Sequence, residues 1–100
     1  MLIQSHLTLS RPHPAFPTSG TQHIYDLGKG YGLSVVNPPQ LHYYPFAWEI
    51  AVVKIEQTAP LDFSITIDYS TPLTQDVEVF ETDEQANAFI QKAIDWVAGL

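Results

Sequence analysis

The sequence contains no cysteine, few basic residues and no long apolar run. Without cysteine there is no disulfide, no thiolate chemistry and no zinc–cysteine site, so the fold must hold without covalent cross-links. No stretch approaches 18 consecutive apolar residues, and no basic segment followed by an apolar one opens the chain. The sequence therefore predicts neither a membrane span nor an export signal, and we expect a cytoplasmic protein.

The charge balance is strongly acidic. Eleven acidic residues stand against four basic ones, which gives a formal net charge of −7. A protein that binds duplex nucleic acid neutralises about 6–10 phosphates, more than these basic residues could contact. Direct binding to nucleic acid is therefore disfavoured. An acidic surface instead keeps a small protein soluble and can steer it towards basic partners.

The remaining composition is that of a single folded domain. One hundred residues with a 45% hydrophobic and 12% aromatic content support one core. Residues 1–22 are predicted to be an extended, proline-rich arm, with a short strand suggested at its start by residues 2–9. Three prolines between residues 11 and 20 should keep that segment outside any β-ladder. Its PxxP spacing also suits an SH3-type groove, although a packed arm is the favoured interpretation.

Residues 23–80 have the patterns of β-strands. A hairpin is predicted over residues 23–37, because Gly28-Lys29-Gly30 permits the positive φ values of a tight turn. Residues 48–55 are apolar on both faces, which is typical of a central strand. Residues 62–69 alternate between an apolar and a polar face. A further short strand is predicted at residues 77–80.

A helix is predicted over residues 82–98. Thr82-Asp83-Glu84-Gln85 matches a capping box, and its acids complement the helix dipole. Apolar residues recur at the spacing of one buried stripe, namely Ala86, Phe89, Ile90, Ala93, Ile94 and Val97. Together these elements predict an α+β fold. We expect a mostly antiparallel sheet of four to six strands with the C-terminal helix packed on one face.

Motifs for catalysis or metal binding are not found. The four histidines are scattered, with neither an HxH pair nor an HExxH motif. Ser34 follows a glycine but lacks the second glycine of a nucleophile elbow and continues into a strand. The sequence therefore predicts a protein that is not an enzyme and has no metal site and no cofactor. A small metal-dependent hydrolase using His23 or His42 is the third of three function hypotheses.

Two features favour binding to another protein. The first is an aromatic segment, residues 41–48, in which Tyr43 and Tyr44 are the pair expected to be exposed; tyrosine is common at interface hot spots. The second is an acidic run without basic residues, made of Asp76, Glu78, Glu81, Asp83 and Glu84. This run either mimics a row of phosphates in the groove of a basic protein, or only caps the helix and solvates a strand.

Three segments resemble small phage and prophage proteins of uncharacterised function. They are Gly30-Tyr31-Gly32-Leu33-Ser34-Val35-Val36, Trp48-Glu49-Ile50-Ala51-Val52-Val53, and Thr71-Pro72-Leu73-Thr74-Gln75-Asp76-Val77 before an acidic helix start. The similarity is one of pattern and spans about residues 27–97 of the printed sequence. It implies a phage accessory protein working in the host-cell cytoplasm, and it supplies no catalytic residues.

These observations lead to one main hypothesis and one principal alternative. The main hypothesis is a non-catalytic protein that binds a basic, nucleic-acid-handling host protein, in its most concrete form an anti-CRISPR-like inhibitor of a host defence complex. Tyr43, Tyr44 and the acidic run would form the binding surface. The alternative is a structural module that self-associates, as a homodimer for example, through an exposed sheet edge.

Overall fold

The structure is a computed structural model that describes residues 1–14, 20–37, 48–60, 62–68, 70–73 and 77–100. Within these ranges, six strands form an antiparallel sheet and one helix follows them. The elements are β1 (Leu7–Pro12), β2 (Thr21–Gly28), β3 (Tyr31–Val36), β4 (Trp48–Ala59), β5 (Asp62–Ile67), β6 (Glu78–Phe80) and α1 (Asp83–Ala98). The predicted α+β fold, with its C-terminal helix packed on the sheet, is confirmed.

Strand β4 is the centre of the sheet, as its apolar pattern predicts. The spatial order is β1-β2-β3-β4-β5, and β6 pairs with β4 off this path. On one side β4 pairs with β3. On the other side its first residues, Trp48 to Ile50, pair with β6, and its residues from Val53 onwards pair with β5. The strand runs four residues beyond the predicted end at residue 55.

The sheet has an outer face, covered by α1, and an inner face. On the outer face, the core includes Tyr25, Leu33, Ile50 and Val52 from the strands and Ile90 from the helix. The predicted helical stripe is buried against them, except that Ile94 is only half-buried. Apolar burial of this kind is the main source of stability for so small a domain.

The middle of the inner face is also buried, although α1 covers only the opposite side. Ile24 and Val53 are each 1% exposed there. The sheet curls into a half-barrel. Strands β1 and β5 are at opposite edges of the sheet, yet one cavity is lined by both Thr8 of β1 and Phe63 of β5. Gly32 lies under this curl: a Cβ at Gly32 would stand 2.5 Å from both the Ile55 Cδ1 and the Tyr25 carbonyl oxygen. The strong curvature therefore depends on a residue without a side chain at this position.

The predicted hairpin is present as β2 and β3. Its turn has positive φ values at Gly28 (89°), Lys29 (57°) and Gly30 (81°). Such values are accessible to glycine at little cost, which is why the two glycines flank the turn. The Gly28 N–H is also bonded to the Asp26 carboxylate at 2.9 Å.

The proline-rich segment differs from its prediction at its start. Arg11 and Pro12 were expected outside the sheet, yet they end β1 and pair with Gln22 and Thr21. Proline is tolerated here because β1 is an edge strand. On the side of β1 that faces away from β2, the described residues form no strand that could accept a hydrogen bond, so the missing N–H of proline costs nothing there. Residues 15–19, which include the rest of the predicted PxxP spacing, lie outside the described residues.

Helix α1 begins with the predicted cap. Thr82 is the N-cap, and its hydroxyl accepts a hydrogen bond from the Gln85 N–H at 3.1 Å. The Gln85 side chain reaches back to the Glu81 N–H at 3.0 Å, one residue before the N-cap. The box is therefore reciprocal, as the motif predicts, but its return bond is shifted by one residue.

Candidate functional site

The described members of the acidic run differ in exposure. Glu78, Glu81 and Glu84 are exposed, whereas Asp83 is half-buried. The other residues predicted to bind a partner, Tyr43, Tyr44 and Asp76, lie outside the described residues. The part of the predicted surface that can be described is therefore where β6 leads into the first turn of α1.

Asp83 is occupied within the chain. Its carboxylate lies 2.8 Å from the N-terminal ammonium group and accepts a hydrogen bond from the Trp48 indole N–H at 2.7 Å. The bond to the N-terminus, followed by that to Trp48, lowers the Asp83 pKa below its ordinary value. Its contribution to stability is therefore present at neutral pH and is lost as the pH falls through the lowered pKa. Asp83 joins the N-terminal residues, β4 and α1.

Two aliphatic side chains of the sheet stand exposed. Apart from the first and last residues, the large hydrophobic residues exposed in the described part of the chain are Ile67 (44%) and Val79 (48%). Both flank β4 on the same side and on the inner face, where Ile67 is opposite Val53 and Val79 is opposite Glu49. The strand rise places these two β4 positions about 13 Å apart.

A cavity of about 240 Å³ lies on the inner face, and Ile67 is part of its wall. Its walls are mostly aliphatic, and Val77 also forms part of them. Polar groups stand at the far end, where Arg11 Nε donates to Gln22 Oε1 (2.7 Å) and Gln22 Nε2 donates to Ser34 Oγ (2.9 Å). This chain of hydrogen bonds satisfies the buried Gln22 and holds the strands β1, β2 and β3 in register.

Of the two histidines named for a metal-dependent hydrolase, His23 lies in the described part of the chain. His23 is half-buried, its ring stands 5.6 Å from that of Trp48, and its Nδ1 lies 2.7 Å from the Ser10 hydroxyl. Ser10 and His23 are directly opposite each other in the β1–β2 register, so this is a cross-strand contact. His42 lies outside the described residues. In the ranges that the structure describes, no three His, Asp or Glu side chains group as metal ligands.

Burial gives His23 a measurable pH dependence. Desolvation lowers its pKa, so the unfolded chain takes up a proton more readily than the folded one. Stability is therefore expected to be complete above about pH 6.5, the ordinary histidine value, and to decline as the pH falls towards the lowered pKa. Urea unfolding between pH 7.5 and 5 measures this, with the His23→Gln variant as the control. An equal slope in that variant would assign the effect to another group.

No helix among the described residues is long and apolar enough to cross a membrane. Comparison with protein-family models, curated proteins and solved structures finds no match. The candidate surface must therefore be judged from its own geometry.

Part of this surface was not predicted from the sequence. The alternation of residues 62–69 is that of a strand with one face in solvent, and it does not predict that the apolar face is partly exposed as well. In the structure β5 is an edge strand, and Ile67 remains partly exposed. The available signal was the spacing of Asp62 and Asp68 around an uncharged stretch, since charges at both ends are common where a strand meets solvent.

Proposed function

We propose that this protein is a non-catalytic binding protein that engages a basic protein partner where β6 meets α1. We define the β6 surface as Glu78, Val79, Glu81 and Glu84, all of which are exposed. Protein–protein contacts usually combine apolar and charged side chains. The exposure of Val79 together with the three glutamates in this short stretch of the chain is the observation that carries the proposal.

The charge of the whole chain supports the same partner class. A net charge of −7 repels nucleic acid and attracts basic proteins over distances of about a Debye length, 10 Å at 0.1 M salt. The more specific form of the proposal is a phage accessory protein that occupies the nucleic-acid groove of a host defence protein. The resemblance to phage proteins and the row of carboxylates favour that form. Tyr43, Tyr44 and Asp76 belong to the same proposal.

Reversing two charges of the β6 surface tests this function. Glu81→Lys/Glu84→Lys is expected to weaken capture of the partner by roughly 10- to 30-fold, because each exposed pair contributes about 0.5 kcal/mol and becomes repulsive. The measurement is a pull-down from host lysate at low and moderate salt, with mass spectrometry, followed by titration of the purified partner. Wild-type capture should fall as salt rises.

The matched control is Glu56→Lys/Asp95→Lys. Both residues are exposed, and the double variant changes the net charge by the same amount as the test variant. It should retain most of the partner affinity, since its charges lie away from the β6 surface. Equal losses in the two double variants would show that overall charge, and not this surface, determines binding.

Self-association is the second candidate function. The open edge of β5 and the exposed Ile67 favour it, because unpaired edges can pair with another copy of the same chain. Light scattering at micromolar concentration separates the two candidates. A stable oligomer would support self-association, whereas a monomer would leave the binding of a different protein as the function.

A further inference from the structure

Among the described residues, no strand pairs with the edge of β5 that faces away from β4. The Asp68 N–H donates to the Val52 carbonyl at 2.8 Å, and in an antiparallel ladder the groups that face a partner recur at every second residue. The N–H and C=O groups of Phe63, Ile65 and Ile67 therefore point away from β4. Asp62 accepts from the Phe63 N–H at 3.0 Å. For the N–H groups of Ile65 and Ile67, the described part of the chain supplies no acceptor.

The opposite edge of the sheet is protected in a way that β5 is not. Strand β1 contains a bulge between Leu7 and Leu9 and ends in Arg11 and Pro12. Bulges, charged residues and proline are the common means by which proteins prevent pairing at an edge. Residues 63–67 contain neither a charged residue nor a proline, and their pairing with β4 has no bulge. The two edges therefore differ, and β5 is the one able to accept a further strand.

The charges along β5 indicate which strand it accepts. Asp62 and Asp68 stand at the two ends, with five uncharged residues between them. Phe63, Ile65 and Ile67 lie on the inner face, where they line the two cavities of that face. A strand added beside β5 would place its own side chains directly opposite these residues, on the same faces.

We propose that the β5 edge binds an extended segment of the basic partner by antiparallel strand addition. The segment has a basic residue at each end, opposite Asp68 and Asp62, and three aliphatic residues at alternate positions, opposite Ile67, Ile65 and Phe63. Its pattern is basic–aliphatic–polar–aliphatic–polar–aliphatic–basic. Main-chain hydrogen bonds supply affinity, the end charges set register, and the aliphatic residues cover the exposed Ile67. This inference deepens the proposed function and rests on a basic protein partner.

A second copy of the chain fits this edge less well. When two β5 strands pair antiparallel about Ile65, Asp62 of each copy stands opposite Asp68 of the other. Like charges directly opposite are destabilising, and this register brings two such pairs together. Charge complementarity therefore favours a basic segment over self-pairing. A wild-type dimer seen by light scattering that becomes tighter in the Asp62→Lys variant, where each lysine would stand opposite Asp68 of the other copy, would overturn this preference.

The probe is the capped heptapeptide Lys-Val-Thr-Val-Thr-Val-Lys, titrated into the protein and followed by NMR. We expect the amide signals of Ile65 and Ile67 to shift and their hydrogen exchange to slow. Replacing both lysines by glutamate should weaken binding at least tenfold. N-methylation of the central valine should do the same, because it removes the N–H that meets the Ile65 carbonyl. Equal affinity of the three peptides would overturn the proposal.

A charge exchange tests the register. The Asp62→Lys variant should bind Lys-Val-Thr-Val-Thr-Val-Glu about fivefold more tightly than the all-lysine peptide, because one exposed charge pair changes from repulsive to attractive, whereas the wild type should show the reverse order. A preference for glutamate at the first position would contradict the antiparallel orientation. If partner capture depends on the β6 surface but none of the peptides binds, strand addition is wrong and the proposed function stands. If the peptides bind in register but Glu81→Lys/Glu84→Lys captures normally, the β6 surface is wrong.

Discussion

Ile90→Asp is expected to leave the chain unfolded at 25 °C. Ile90 is 0% exposed and lies in the core between α1 and the outer face of the sheet. An unpaired carboxylate at such a site costs about 4–5 kcal/mol or more, since it must either be desolvated or take up a proton. Folded domains are stable by about 5–15 kcal/mol, and a 100-residue domain at the lower end of that range keeps almost no stability after such a loss. Circular dichroism during heating should show no cooperative transition.

Two neighbouring variants control this prediction. Gln91→Asp introduces the same carboxylate at an exposed position and should cost only about 1 kcal/mol, because it replaces the Gln91–Asp95 hydrogen bond by a pair of like charges. Ile94→Asp places it at a half-buried position, from which the carboxylate can reach water, so an intermediate loss is expected. A cooperative transition near the wild-type Tm for Ile90→Asp would contradict the packing of α1 on the sheet.

Gly32→Ala is expected to destabilise the domain by about 3 kcal/mol, because the added methyl group meets atoms that cannot all move aside. Its Cβ would lie 2.5 Å from the Tyr25 carbonyl oxygen, which belongs to the neighbouring strand β2, and 2.5 Å from the Ile55 side chain. For a domain of this size, the Tm should fall by about 12–24 °C. Thermal and urea unfolding measure the change.

The matched control is Gly99→Ala, where the nearest atoms stand at 3.6 Å and the variant should be close to neutral. Combining Gly32→Ala with Ile55→Ala separates the two contacts at Gly32. The double variant removes the side-chain clash but leaves the one with the Tyr25 carbonyl, so the Gly32 substitution should still be unfavourable in the Ile55→Ala background. If it were neutral there, the backbone contact would have no part in the effect.

Much of the fold could be predicted because its signals are local. The two glycines of the hairpin turn, the Thr82 cap and the apolar periodicity of α1 each act within a few residues of the chain. Strand β4 was predicted to be central from its own composition, since an apolar pattern on both faces requires cover on both. Pro12 was wrongly predicted to lie outside the sheet. Proline is tolerated in an edge strand, and the local sequence does not show which strand will be at the edge.

The candidate site was less predictable, because the sequence gives the number of charged residues but not where their side chains lie in the folded protein. From the sequence alone, the five acids of the acidic run cannot be told apart in exposure or in partners. Only the folded chain shows that Asp83 holds the N-terminus and Trp48, whereas Glu81 and Glu84 face solvent. The inner-face cavities depend on strands far apart in sequence, so no local pattern predicts them.

By itself, the sequence determined the element types, the helix cap, the acidic charge and the absence of cysteine chemistry. Propensity, periodicity and turn chemistry decide these over a few residues. Tertiary structure alone decided that β4 pairs with both β5 and β6, that Gly32 lies under Ile55, and that β5 is the last strand on its side of the described sheet. The reason is that strand pairing and curvature depend on which distant segments meet, and that depends on burial and hydrogen bonding across the whole chain.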